Sequence, residues 1–383
     1  MNSCALYVHI PFCKSKCAYC DFFSSIKQYN TKNYIDALLS ELQYRLQYFS
    51  VSALKTIYIG GGTPSILPLE HITYFFTALK KEMSIEKNAE ITFEINPDDV
   101  SKELLETLYS VGVTRLSMGI QCLDDTALKS VGRRASTKET ITALNLIRDY
   151  WQPLGKQVSL DLISGLPYLS EESFKKGLNT VISYKPNHIS LYSLTIEEDT
   201  PLFKGVEKKE IPYSDEENEN QWLLGKDILE EQGYMQYEVS NFAFPGYESQ
   251  HNMEYWKMHN YLGIGSGGTG TFESYRYTNT RNIESYITYW LSDLEKHTIP
   301  FDIEDKEVLS KDTQIFETLM MGFRTLNGIN SIEFRKRFGI ELETKIQPVF
   351  DCWQEKKLAE KTGSSYALNK QGLLYLNTFL REL

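Results

Sequence analysis

The chain has 383 residues, 42% of them hydrophobic and 24% charged, a composition that suits one large α/β domain with an appendage. No run approaches the ~20 apolar residues a membrane helix requires, and the amino terminus lacks the basic-then-apolar pattern of a signal peptide, so a cytoplasmic location without stable membrane insertion is expected. A net charge of −11 disfavours nucleic acid as a partner, because binding a polyanion rests on counterions released around Lys and Arg.

Taken in chain order, short apolar and β-branched runs predict strands over Ala5 to Ile10, Thr56 to Ile59, Glu90 to Ile95, Arg115 to Gly119, Gln157 to Leu162 and His188 to Tyr192. Stretches with helical spacing lie between them: Tyr34, Leu38, Leu42 and Leu46, then Leu104, Leu105 and Leu108, then Ile141, Leu144 and Ile147. Strand alternating with helix implies a parallel sheet with helices outside, and six such units suggest an incomplete (β/α) barrel over residues 1–205. In such barrels the chemistry sits in the loops after the carboxyl ends of the strands. Five of those loops or strand ends hold unusual residues. Cys13, Cys17 and Cys20 follow the first strand, and Gly60 to Pro64 the second. Glu94 to Pro97 closes the third, Ile120 and Gln121 follow the fourth, and Asp161 to Pro167 closes the fifth.

Residues 206–305 read as a connector followed by an aromatic-rich, Gly-punctuated segment, with Glu207 to Asn220 a charged and solvated stretch. Residues 306–383 read as successive helices, a hairpin around Thr362-Gly363-Ser364 and a last helix capped by Asn369, similar to a winged-helix module. Basic and acidic residues nearly balance in that module, which gives DNA binding little support.

Three thiolates at Cys13-x-x-x-Cys17-x-x-Cys20 suit an iron–sulfur cluster better than an oxygen-seeking metal. Three ligands leave one iron of a [4Fe–4S] cluster open, whereas four would close it. The alternatives are a zinc site with a distant fourth ligand, or unrelated thiols. With Tyr19 before the last cysteine, the motif resembles the radical S-adenosylmethionine (SAM) superfamily, in which the open iron binds SAM. The missing side chains of Gly60-Gly61-Gly62 allow close backbone approach to such a ligand, although the run also suits a plain turn. Glu94 and Asp161 are acceptors for ribose hydroxyls or an ammonium, while Gln121 and Arg133 can address the methionine carboxylate or the adenosine.

Almost the whole chain resembles the family that contains oxygen-independent coproporphyrinogen III oxidase and HemW-type heme chaperones. The resemblance runs through Tyr7-Val8-His9-Ile10-Pro11-Phe12-Cys13, Gly119-Ile120-Gln121, Asp161 to Pro167 and Glu317 to Ile329. It implies a partial (β/α)6 radical SAM barrel with Tyr7, Gly61, Gly62, Thr63, Glu94, Gln121, Arg133 and Asp161 as SAM contacts. Ala135 departs from the family, which tends to have His two places after the arginine.

Three features favour the chaperone branch. Cys20 is followed by Asp21-Phe22 and not by a further cysteine, Cys13 leaves no room for a long preceding segment, and the chaperone motif is present as His251-Asn252-Met253-Glu254-Tyr255-Trp256. The resemblance then implies heme b as cargo, His251 as an axial ligand, Tyr255 and Trp256 as flat surfaces for the porphyrin, and membrane-associated proteins as heme acceptors. The competing class is an enzyme in which cleaved SAM starts the decarboxylation of a porphyrinogen propionate. A homodimer is left open by the sequence.

His9 is expected to order the cluster loop, and His71, His188, His259 and His297 have no distinguishing context. Cys4, Cys122 and Cys352 are read as plain thiols. The run Gly265-Ser266-Gly267-Gly268-Thr269-Gly270 fits GxGxxG but opens no βαβ unit, so a flexible or close-packed loop is expected there and not a nicotinamide site.

Overall fold

The structure, a computed structural model, describes residues 2–292 and 299–383, so His297 lies outside the described residues. The alternating part runs β1 (Asn2–Ile10), α1 (Thr31–Tyr48), β2 (Val51–Gly61), α2 (Leu69–Glu82), β3 (Ile85–Ile95), α3 (Lys102–Ser110), β4 (Arg115–Gln121), α4 (Asp125–Ser130) and α5 (Thr137–Tyr150), then β5 (Gln157–Ser164), α6 (Glu171–Ser183) and β6 (His188–Ser193). These six strands pair in parallel and in sequence order. Side-chain caps start the helices locally: Asn30 accepts from the Asn33 amide, Ser101 from that of Leu104, and Ser136 with Glu139 forms a reciprocal capping box. The stripe Tyr34, Leu38, Leu42 and Leu46 of α1 is buried against the sheet, as its spacing predicts.

The second half adds to the same sheet. It comprises α7 (Pro201–Glu207), α8 (Asp215–Glu231), β7 (Met235–Gln236), β8 (Asn241–Ala243), α9 (Gln250–Trp256), β9 (Tyr261–Ile264), β10 (Thr269–Phe272), β11 (Tyr275–Asn279), α10 (Ile283–Leu291) and β12 (Glu304–Val308). Among the described residues the sheet has twelve strands in the order β12-β11-β10-β9-β1-β2-β3-β4-β5-β6-β8-β7. It is α/β and mostly parallel at its centre, with antiparallel strands at both flanks. Strand β9 runs parallel to β1, pairing Ala5 with Tyr261 through Val8 with Ile264.

The charged stretch Glu207 to Asn220 is only partly a connector, because α8 begins at Asp215. Buried Asn218 accepts from the Ser164 hydroxyl at 2.8 Å, and Gln221 accepts from the Gly165 amide at 2.9 Å. Polar side chains that look solvent-seeking in the sequence thus bind the end of β5 and the loop after it.

The last module comprises α11 (Lys311–Gly322), β13 (Ile329–Asn330), α12 (Ser331–Phe338), α13 (Glu343–Ile346), α14 (Val349–Glu355), β14 (Ala359–Thr362), β15 (Ser365–Leu368), α15 (Lys370–Leu373) and α16 (Leu376–Glu382). Its own apolar core includes Phe323, Phe350, Trp353 and Phe379. Asn369 caps α15, accepting from the Gln371 and Gly372 amides. No helix among the described residues is long and apolar enough to cross a membrane.

A buried polar group joins the flanking layer to the barrel. Arg45 on α1 donates to Glu41 at 3.0 Å, to Asn279 at 3.3 Å and to Glu304 on β12, and its guanidinium lies 3.6 Å from the centre of the Tyr277 ring. Glu41 in turn accepts from the Gly265 amide at 2.9 Å and from the Tyr286 hydroxyl at 2.6 Å. Burial pushes the Glu41 carboxyl above the usual carboxylate range, opposed by Arg45. Replacing Arg45 by Met leaves two carboxylates buried without their cation, and the expected cost is about 3–5 kcal/mol in urea denaturation of the apoprotein. A loss under about 1 kcal/mol would show that the group carries no such weight.

Candidate functional site

The loop between β1 and α1 doubles back on itself. The Ser25 amide donates to the Pro11 carbonyl at 2.7 Å and the Cys13 amide to the Ser25 carbonyl at 3.0 Å, while Ala18 donates to Val131 at 2.9 Å. Lys14 reaches Asp99 at 2.6 Å, and Arg134 pairs with Asp98 and Asp99 at 3.0 and 3.1 Å. The segment that lacks the family histidine at Ala135 is therefore held by its neighbouring arginine, and Ala135 itself is buried.

Cys13, Cys17 and Cys20 are half-buried free thiols on this loop. Among the described residues no three His, Cys, Asp or Glu side chains are arranged to hold one metal ion. A [4Fe–4S] cluster asks for something else, one thiolate on each of three separate irons. Of the remaining cysteines, Cys4 and Cys122 are buried and their thiols are pushed up to about 12 by burial, while Cys352 is exposed.

The glycine run after β2 is set by close packing. Gly61 has φ +111, and a Cβ there would stand 2.6 Å from the His9 ring; one on Gly62 would stand 2.7 Å from the Phe12 carbonyl oxygen. The Gly62 and Thr63 amides donate to Ile10 and Phe12 at 2.8 Å each. The glycines thus let the end of β2 lie against the cluster loop, and Thr63 Oγ1 comes within 3.5 Å of Cys13 Sγ.

Glu94 accepts from the Tyr58 hydroxyl at 2.7 Å and from the Gly61 amide at 3.1 Å. Burial raises its carboxyl to about 7, with the charge of Asp161 adding to the effect. Asp161 accepts from Ser117 at 3.1 Å and is likewise raised by burial. Arg133 donates to Asn96 at 2.7 Å and to the Gly119 carbonyl, and its Nη1 lies 3.8 Å from Cys17 Sγ. Its buried Nε has no hydrogen-bond partner among the described residues. Gln121, at the end of β4, takes a left-handed backbone with φ +68.

Ten of the twelve sequence-predicted site residues meet in one cavity of about 550 Å³ at the barrel mouth: the three cysteines, Gly61, Gly62, Thr63, Glu94, Gln121, Arg133 and Asp161. Thiols on one side, a guanidinium with a spare donor beside them and two carboxylates beyond fit a cluster with a zwitterionic, hydroxyl-bearing ligand. The sequence reading missed the inner lining, including Tyr58, Thr92, Ser117, Ser190 and Tyr192. Their signal was available in the alternate positions of each strand, since every second residue of a strand faces the same side.

Tyr7 and His251 are placed elsewhere. Tyr7 donates toward His9 Nδ1 at 2.9 Å and lines a neighbouring chamber of about 590 Å³, together with Tyr255, Trp256, Tyr261, Met320 and Met321. His251 is 0% exposed and lines neither cavity. Its Nδ1 lies 2.8 Å from Thr56 Oγ1 and its Nε2 lies 2.8 Å from the Tyr255 hydroxyl, so it offers no open lone pair to an iron. Burial lowers its pKa to about 3 and keeps it neutral. Asp21 and Phe22, next to Cys20, line both spaces.

The Gly265 to Gly270 run connects antiparallel β9 and β10. A Cβ on Gly263 would fall 1.8 Å from the Thr269 carbonyl oxygen and one on Gly265 2.4 Å from that of His9, so the run is a close-packed loop, as expected.

Comparison with known proteins identifies the family and the fold. The family model described as the radical SAM superfamily matches residues 7–181, and that of the HemN C-terminal domain matches residues 309–375. The heme chaperone HemW of Lactococcus lactis is 34% identical over 88% of this chain and 86% of its own length, and that of Escherichia coli is 33% identical over 98% and 97%. The solved structure of coproporphyrinogen III oxidase (HemN) from Escherichia coli superposes with a TM-score of 0.80 at 20% identity, covering 98% of this chain and 89% of that one, a likeness of fold.

Replacing Cys13, Cys17 and Cys20 together by Ser should abolish the cluster, because hydroxyl oxygen substitutes poorly for thiolate on iron. Iron and sulfide assays after anaerobic reconstitution read this directly, and a retained [4Fe–4S] spectrum would refute the assignment. Glu94→Ala and Asp161→Ala should each weaken SAM binding about tenfold in calorimetric titration while sparing iron content, since each removes a hydrogen bond to a charged acceptor worth about 1.5–3 kcal/mol. Unchanged affinity in both would remove the carboxylates from the site.

Proposed function

The chain belongs to the HemW heme chaperone family of the radical SAM superfamily, and from that premise we propose that it binds heme b in the cytoplasm and passes it to membrane-associated acceptor proteins. The observation that supports this reading best is the pair of adjoining cavities. The barrel mouth collects the groups suited to a cluster and SAM, while the chamber beside it presents aromatic and methionine side chains with Arg276, Arg281 and Arg337 also at its walls. A flat apolar macrocycle with anionic propionates suits the second space, where rings stack on its faces and guanidinium groups meet carboxylates.

When bound, the [4Fe–4S] cluster with SAM supplies one-electron chemistry. In our reading Cys13, Cys17 and Cys20 hold three of its irons, Arg133 offsets negative charge beside Cys17, and Glu94 and Asp161 accept hydrogen bonds from the organic ligand. Oxidase chemistry would require the tetrapyrrole itself to enter the barrel mouth. Asp21 and Phe22 stand at the wall between the two spaces, where the oxidases carry their further cysteine.

Anaerobically reconstituted protein should bind ferric heme tightly, donate it to a heme-free acceptor, and leave coproporphyrinogen III unchanged when supplied with SAM and a reductant. Decarboxylation of coproporphyrinogen III without heme binding would reverse the assignment in favour of the oxidase.

A further inference from the structure

Two tyrosines at the chamber wall, Tyr7 and Tyr255, are each hydrogen-bonded to a histidine, and the second hydrogen bonds of those histidines distinguish the pairs. His9 Nε2 lies 2.9 Å from the Phe23 carbonyl oxygen, an acceptor with no proton to give. Neutral His9 must therefore carry its proton on Nε2, which leaves Nδ1 as an acceptor for the Tyr7 hydroxyl and unable to donate to that oxygen. The His251 pair is different. Its far nitrogen faces the Thr56 hydroxyl, which can either donate or accept, so His251 Nε2 can serve Tyr255 in either role.

Helix α9 places His251 and Tyr255 four residues apart on one face, with the imidazole inside the protein and the phenol at the chamber wall. Tyr255 is held edge-on by the rings of His251 and Tyr261, with centroids 5.0 and 4.7 Å away. For His251 to reach an iron in the chamber, it would have to break two buried hydrogen bonds. The Tyr255 oxygen keeps its place and gives up one proton, whose pKa burial holds well above the ordinary phenol range, so bonding to the ferric iron is what displaces it; phenolate is an established axial ligand of ferric heme.

Building on the heme-binding reading above, we propose that Tyr255 Oη is the axial ligand of ferric heme in this chamber and that His251 is its positioning residue. As the Fe–O bond forms, the phenol O–H bond breaks and one proton is released to solvent for each heme bound; the iron stays ferric. The imidazole remains neutral, presents Nε2–H to the phenolate oxygen and accepts at Nδ1 from the Thr56 hydroxyl. Arg281 and Arg337, neither of which makes an ion pair among the described residues, are the open cations for the propionates. The competing imidazole is His259 at the chamber edge, whose Nδ1 lies 3.1 Å from Glu254.

The test is resonance Raman and electron paramagnetic resonance of ferric heme on the full-length, cluster-loaded protein. Wild type should show high-spin ferric iron with phenolate ring modes. Tyr255→Phe should lose those modes and bind heme at least about tenfold more weakly, with cluster content and circular dichroism unchanged. His251→Ala should shift the phenolate modes, His251→Gln should restore them because its carboxamide can still donate, and His259→Ala should leave affinity and spectrum as in wild type. Phenolate modes surviving in Tyr255→Phe, or an imidazole-ligated low-spin spectrum lost in His259→Ala, would overturn the ligand assignment alone. A wild type that binds no heme would overturn the heme reading itself.

Discussion

One guanidinium shared by two carboxylates in a dry interior decides how this chain is put together. Arg45, Glu41 and Glu304 are each at most 1% exposed, and they come from the first helix of the barrel and the last strand of the sheet. Removing such charges from water costs several kcal/mol per ion, a cost offset only when each is paired and hydrogen-bonded. Here the partners that offset it, Gly265, Asn279 and Tyr286, lie on the flanking layer. The barrel's first helix is therefore satisfied only when β9 to β12 are docked. That docking sets β9 beside β1, and Tyr255 and Trp256 of α9 line one chamber with Asp21 and Phe22 of the loop that bears the cysteines.

The readable part of the molecule was the part in which local pattern and global fold agree. The Val/Ile/Leu runs of β1 to β6, the apolar stripe of α1 and the cysteine spacing each predict their structure from a few neighbouring residues. The additions escaped because their logic is non-local. Strands β7 and β8 have two and three residues, too few for an alternation to register. Helix α8 was hidden by polar residues, Asn218 and Gln221, whose partners lie on a loop some fifty positions earlier.

The same distinction divides the site. Glu94 and Asp161 were legible because position toward the end of a strand predicts their direction; Arg133, on the connection between α4 and α5, lies outside that rule. Tyr7 was not legible: its partner across the β1–β2 pair, Tyr58, lines the barrel mouth, while its own side chain lines the adjoining chamber. His251 was legible as a residue tied to the aromatic segment, but its depth depends on Thr56, which stands 195 positions away. A sequence motif can mark a hydrogen-bonded pair without saying which member meets the ligand.

A sheet that does not close has two exposed margins, and unpaired backbone groups there invite a strand from another molecule. In this chain one margin is β7, with two residues, and the other is β12, whose sequence Glu304-Asp305-Lys306-Glu307-Val308 is charged at four of five positions. The first is too short to template a partner, and the second would set like charges against each other in an antiparallel copy. Edge-to-edge pairing of copies through the twelve-stranded sheet is thus disfavoured at both margins, and that sheet stays the property of one molecule.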